Sequence, residues 1–162
     1  MRRLRYVGLG IAALACMTGR AAAQPEIPRW QSEIRVGALA GRTTAWQASA
    51  GANVVIGTYV RLALLAGGGA RRDAGAWDAS GSVDAIIRFH LDPFREYRYG
   101  LYMGGGAAAL FDENATGRAR AVIVVGYEHA KPGRRWLTGI EAGYGGGLRV
   151  AVSIKRARAF AR

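Results

Sequence analysis

Nine charged residues stand in segments otherwise rich in Gly, Ala and Val: Glu33, Arg35, Arg61, Asp84, Arg88, Glu128, Glu141, Arg149 and Lys155. Carboxylates and cationic side chains in this number admit two kinds of chemistry. Buried together they must pair and hydrogen-bond, because an unpaired charge in a low-dielectric interior is strongly destabilising. Lining a passage, the same pairs could break and re-form to gate a small pore. The expected reading is the structural one, a charge network filling an interior. Which acid meets which base is open at this level.

Other reactive types make weaker constellations. His90 and His129 are the only histidines. With Ser80, Ser82 or Ser153 and Glu128 or Glu141 they could be assembled into a lipid-modifying hydrolase. No G-x-S-x-G nucleophile motif supports this, since Asp78-Ala79-Ser80-Gly81-Ser82 lacks the glycine placement. Two histidines without cysteine or a close His/Asp pattern make a poor metal site. Gly67-Gly68-Gly69, Gly104-Gly105-Gly106 and Gly145-Gly146-Gly147 lack the Lys-Ser/Thr of a phosphate loop. Glycine in strands suits tight curvature and close packing instead. Asn114-Ala115-Thr116 matches a glycosylation acceptor only by its short pattern. No catalytic residue, cofactor or metal ligand is therefore assigned, and the expectation is a protein that is not an enzyme.

The elements that would position the charges read as strands. In Leu148 to Lys155, Leu148, Val150, Val152 and Ile154 fall on one face; Arg149, Ala151, Ser153 and Lys155 fall on the other. Period-two alternation writes a sheet with one apolar and one polar face. Eight such segments are predicted: Glu33 to Gly41, Trp46 to Ile56, Tyr59 to Arg71, Trp77 to His90, Arg98 to Phe111, Arg118 to His129, Trp136 to Tyr144 and Gly147 to Arg158. Turn residues such as Gly57-Thr58, Asp92-Pro93, Lys131-Pro132-Gly133 and Gly145-Gly146 separate them. Regular spacing and short connections favour an antiparallel up-and-down meander, which removes its edges by closing into a barrel. Eight strands make a narrow barrel filled by its own side chains.

The ends place this domain. Residues 1–23 read as a secretory signal peptide: Arg2, Arg3 and Arg5, an apolar core from Tyr6 to Met17, and Ala21-Ala22-Ala23 before Gln24. Ala13-Leu14-Ala15-Cys16 is a loose lipobox, and Cys16 reads as a small apolar residue of the signal core. Cleavage leaves 139 of the 162 residues: a short lead over 24–32, a barrel over 33–158 and a basic end over 159–162. It also removes the single cysteine, and with it disulfides and thiolate metal sites. The full chain carries +12; a leader with Arg2, Arg3, Arg5 and Arg20 and no acid lowers this to +8. A basic exported protein can meet anionic lipid, lipopolysaccharide or nucleic acid. The arginines are scattered, and the basic end lacks interleaved aromatics, so nucleic acid is not expected.

Which face is inside separates a membrane barrel from a soluble one. The apolar set carries aromatics at strand ends. With strand one leaving the periplasm, Trp46, Trp77, Phe111 and Tyr144 fall at the outer rim, and Phe89, Tyr99, Tyr127 and Trp136 at the periplasmic rim. Two aromatic girdles around an aliphatic middle are what membrane interfaces select. The polar set, with the nine charges, then faces inward.

On these features the chain resembles the small eight-stranded outer-membrane barrels of the OmpA/OmpX-like type over about Glu33 to Arg158, with glycine-rich aromatic strands such as Tyr99-Gly100-Leu101-Tyr102-Met103-Gly104-Gly105-Gly106. The resemblance implies a Gram-negative outer-membrane location, contact with outer-membrane lipid and lipopolysaccharide, and insertion by the outer-membrane assembly machinery. It also implies a porin-like scaffold, monomeric, with a structural, envelope or adhesive role. Members usually end on an aromatic residue, whereas here Phe160 is followed by Ala161 and Arg162. The alternatives are a secreted soluble barrel binding an apolar ligand and, more weakly, the lipid-modifying barrel enzyme.

Overall fold

The computed structural model describes residues 30–41, 44–73, 75–92, 97–111, 117–130 and 136–157. The segment read as a signal peptide with Cys16, most of the expected lead, Asn114-Ala115-Thr116 and Phe160 lie outside them.

Eight strands follow in order: β1 Trp30–Gly41, β2 Thr44–Val55, β3 Val60–Asp73, β4 Ala76–His90, β5 Tyr99–Phe111, β6 Gly117–Ala130, β7 Trp136–Tyr144 and β8 Gly147–Ala157. Each pairs antiparallel with its sequence neighbours, and β1 pairs with β8, so the sheet closes. Closure leaves no edge of unpaired N–H and C=O groups. The strands match the alternating segments to within a few residues. β1 begins earlier than the sequence pattern because Trp30 pairs with Val54 and Gln31 with Ala157.

The registers fix the barrel's shape. One path runs Trp30, Val54, Leu62, Ile87, Gly105, Ile123, Tyr144 and Leu148, each paired with the next. It returns to β1 at Ala40, so the circuit closes ten residues along the strand from where it began. With a rise of about 3.3 Å and a strand spacing of about 4.8 Å, that stagger tilts the strands by roughly 40°. On β4 and β5, Trp77 to Phe89 and Phe111 to Tyr99 then span roughly 30 Å along the axis, close to the thickness of a hydrocarbon core.

The faces follow the alternation. Ile34 is 59% exposed, Val152 55% and Ile123 69%, whereas Glu33 is 1% exposed and Arg88 0%. The apolar side chains point out and the charged ones in. This is the arrangement of a membrane barrel and the reverse of a soluble ligand-binding one. The eight girdle aromatics lie on the outer face. At the end holding the chain termini, Tyr59 stacks on Phe89 at 5.7 Å and Tyr99 on Tyr127 at 6.3 Å, and the Arg156 guanidinium lies 5.2 Å over the Trp136 ring. Trp30 and Tyr59 extend the same belt beyond the residues read from the sequence.

The interior is not wholly polar. Ala63, Ile86, Tyr102, Ala108, Val122 and Val124 form a buried cluster, and Leu39, Leu65 and Leu137 are also inside. These were not separable in sequence because runs such as Ala121-Val122-Ile123-Val124-Val125 are apolar on both faces.

An arginine placed on the outer face near mid-strand tests this orientation. Val152→Arg is expected to destabilise the folded barrel in lipid vesicles by about 2–4 kcal/mol, and Trp77→Arg, at a rim, by only about 0–1 kcal/mol. Denaturant unfolding in vesicles reads the difference; equal, negligible effects would contradict the outward assignment.

Candidate site: the charge network of the barrel interior

The interior charges come from strands on opposite walls. Arg88, on β4, is fully buried. Its Nη1 donates to Glu33 Oε2 at 2.6 Å and to Asn53 Oδ1 at 2.8 Å, and its Nη2 to Glu141 Oε2 at 2.7 Å and Glu33 Oε1 at 3.2 Å. Asn53 Nδ2 donates to Glu33 Oε2 at 2.5 Å. One guanidinium thereby connects β4 to β1, β2 and β7. A planar fork of donors suits this task, because its two terminal nitrogens reach four acceptor atoms on three residues.

The network continues both ways from this centre. Away from the termini, Arg35 Nη1 donates to Glu141 Oε1 at 3.2 Å, and Arg35 Nη2 pairs with Asp84. Asp84 Oδ2 also accepts from Arg149 Nη2 at 2.6 Å. Toward the termini, Lys155 pairs with Glu128, and its Nζ lies 3.8 Å from Glu33 Oε2. Four carboxylates, from Glu33, Asp84, Glu128 and Glu141, thus meet four cations, from Arg35, Arg88, Arg149 and Lys155. Arg61 is buried and lines a cavity with Glu128 and His90 at the terminal end. All nine charged residues singled out in the sequence therefore lie inside the barrel.

Tyr102 organises the lower half. Its hydroxyl donates to Glu141 Oε2 at 2.9 Å. Its ring lies under Arg88 at 5.2 Å and Lys155 at 4.8 Å, and beside the His90 ring at 5.2 Å. Such cation–π contacts strengthen where water is excluded. The ring fits because its partner on β6 is Gly126: a Cβ there would lie 2.0 Å from Tyr102 Cζ. Tyr102 and Asn53 belong to the inward polar set in sequence, but their bridging roles depend on which strands face each other across the lumen. A glycine opposite an aromatic was the available signal for Tyr102.

The residues considered for catalysis are not brought into a catalytic arrangement. His90 packs on Tyr102, and its Nε2 has no hydrogen-bond partner. Ser80 and Ser153 likewise have hydroxyls without a partner. His129 is half-buried at the terminal rim, where it pairs in register with Tyr99 and Thr138. No group of three His, Cys, Asp or Glu residues able to hold a metal occurs among the described residues.

Cavities lie at both ends of this network. Two at the end away from the termini are lined by Arg35, Asp84, Glu141 and Arg149 with Gln47; one at the terminal end is lined by Arg61, His90 and Glu128. None of the three reaches Arg88, Glu33 or Tyr102.

Removing Glu141 takes one acceptor from each of two guanidiniums, Arg35 and Arg88, and the acceptor of the Tyr102 phenol. Glu141→Ala is expected to cost about 3–5 kcal/mol, as for one partner of a buried pair. Tyr102→Phe, which deletes a single hydrogen bond to a charged group, is expected to cost about 1.5–3 kcal/mol. Unfolding in lipid vesicles measures both, and a Glu141→Ala barrel of unchanged stability would show that the network contributes nothing.

Known structures share the architecture. The chain is similar to the N-terminal β-barrel domain of Pseudomonas aeruginosa OprF, with a TM-score of 0.55 and 14% identity over 78% of this chain and 96% of that one. It is also similar to a de novo designed transmembrane β-barrel, with a TM-score of 0.52 and 13% identity over 83% of this chain and 98% of that one. A second design, TMB2.3, solved by solution NMR, gives 0.52 and 11% over 85% and 100%. No protein-family model matches the chain, and no curated protein does. At these identities the likeness is one of fold: the chain has the eight-stranded closed architecture of the small transmembrane β-barrels, the outer-membrane domain of OprF among them.

Proposed function

We propose that this protein is a non-enzymatic barrel of a bacterial outer membrane, exported through a cleavable signal peptide, with an interior plugged by its own paired charges. The observation that carries the reading is the central layer of Arg88, Glu33, Asn53, Glu141 and Tyr102, which hydrogen-bond across the lumen from five strands. Opening a passage there requires several buried pairs to break together, each strongly destabilising when only one partner leaves. The role is that of an envelope scaffold or adhesive surface rather than a conduit. Its apolar belt meets outer-membrane lipid and lipopolysaccharide, and the outer-membrane assembly machinery inserts it. A closed barrel has no free sheet edge to recruit a second copy, which supports a monomer.

The alternatives find less support. The long apolar face points outward, and the apolar residues inside form a small packed cluster beside the charges, which is poor support for a hydrophobic ligand chamber. The serines and His90 make no nucleophile–base hydrogen bond at the atoms such chemistry would use.

Two measurements test the proposal. Unboiled protein from the outer-membrane fraction is expected to migrate as a compact species that shifts on heating. Reconstituted in planar bilayers, it is expected to show no steady conductance. A soluble periplasmic protein without a heat shift would overturn the location, and stable open channels would overturn the plug.

A further inference from the structure

The end of the barrel away from the termini is rich in arginine on its inward face, with Arg71, Arg118, Arg120 and Arg149 among the described residues. Arg118 and Arg120 are inward by alternation on β6 and rise above the network. The wall beside them is low: Tyr144, the last residue of β7, pairs with Ile123, while β6 continues up to Gly117. Arg120 leans over the turn that joins β7 to β8. A Cβ at Gly146 would lie 2.4 Å from Arg120 Cδ and 2.5 Å from its Nη1. Gly146 has φ +78, so the turn itself already favours glycine, and the missing side chain gives the guanidinium its place. On the other side of the same turn, a Cβ at Gly145 would lie 3.3 Å from Arg149 Cδ.

Arg120, Arg149, Gly145 and Gln47 line one small, partly open cavity with Asp84 as its acid and an apolar wall that includes Leu39 and Leu110. Asp84 is already engaged, accepting from Arg35 and Arg149. Gln47 Nε2 is buried and makes no hydrogen bond within the protein. The cavity thus presents a guanidinium resting on a glycine turn, a second guanidinium that has spent one donor on Asp84, and an amide N–H₂. Two forked cations and an amide bordering one cavity supply the kind of donors that the oxygens of a tetrahedral oxyanion accept from.

We infer that this vestibule is a binding site for a small soluble oxyanion of the phosphate class, held by Arg120, Arg149 and Gln47 above the closed charge network. The site is separate from any conduction through the barrel: its floor is the Asp84–Arg35–Glu141 part of the network, and it needs no opening of the central layer. The ligand enters from the aqueous side. A lipid phosphate at the low wall offers the same chemistry, and titrating inorganic phosphate in lipid-free micelles separates the soluble source from it.

The test uses the full-length mature barrel folded in detergent micelles. Inorganic phosphate is titrated near neutral pH while the amide resonances of Gly145 and Gly146 are followed, against chloride at matched ionic strength. The site requires a saturable shift with phosphate that chloride does not reproduce. Arg120→Gln is expected to weaken it at least about tenfold, the loss of one charge-assisted contact. Gln47→Leu is expected to weaken it less. Arg72→Gln, which removes an exposed arginine on the outer face of the same rim, is expected to leave it within about twofold, because a solvated charge outside the cavity is screened. Compact, heat-shifted migration of each variant establishes folding before titration. Equal shifts with chloride and phosphate in the unsubstituted protein overturn the inference without recourse to any variant. So does equal weakening by Arg72→Gln and Arg120→Gln, which would reduce the effect to diffuse rim charge.

Discussion

A guanidinium wholly removed from water must find acceptors inside the protein, and Arg88 finds them on three other strands. Its partners Glu33, Asn53 and Glu141 belong to β1, β2 and β7, while Arg88 itself is on β4. No open sheet could bring these together, since β4 and β7 are not neighbours in the ladder. The charge network and the closure of the barrel are therefore one constraint. Closure also satisfies the backbone, which in a bilayer has no water to turn to. With the polar groups of side chains and main chain both spent inward or along the ladder, the outer face is free to be apolar.

Glycine sets how tightly this can be done. A barrel of eight strands is narrow, and its interior must hold Arg88, Tyr102, Lys155, Ile86 and Leu137 at once. Gly126 lets the Tyr102 ring lie against the wall, from where it reaches Glu141 and sits below two cations. At the far end Gly146 does the same for Arg120. The large inward residues and the glycines opposite them are complementary parts of one packing solution.

Much of this was legible in the amino-acid sequence, for a reason specific to strands. Period two sorts residues by face without knowledge of the fold, so the alternation of Leu148 to Lys155 alone identifies which side chains share a side. The nine interior charges and the eight rim aromatics follow from it. What alternation does not carry is register. Whether Arg88 meets Glu33 or Glu128 depends on the ten-residue stagger accumulated around eight ladders, and no local pattern encodes that sum. Segments apolar on both faces, such as those holding Ile86, Val122 and Val124, hid the inner apolar cluster. The cavity at Arg120 and Arg149 was illegible for the same reason: it is made by β6 and β8 meeting over a turn, with Gln47 arriving from β2.

The account turns on a barrel with paired charges inside and lipid outside, and a spin-label scan along β8 examines this most directly. Single cysteines at positions 150, 151, 152, 153 and 154, in a chain whose one native cysteine, Cys16, is removed or replaced, carry nitroxides in folded protein in lipid vesicles. The account expects labels replacing Val150, Val152 and Ile154 to collide with lipid-dissolved oxygen. Those replacing Ala151 and Ser153 are expected to meet neither oxygen nor a polar nickel chelate. Oxygen contact at Ala151 and Ser153, or chelate contact along Val150, Val152 and Ile154, would contradict it.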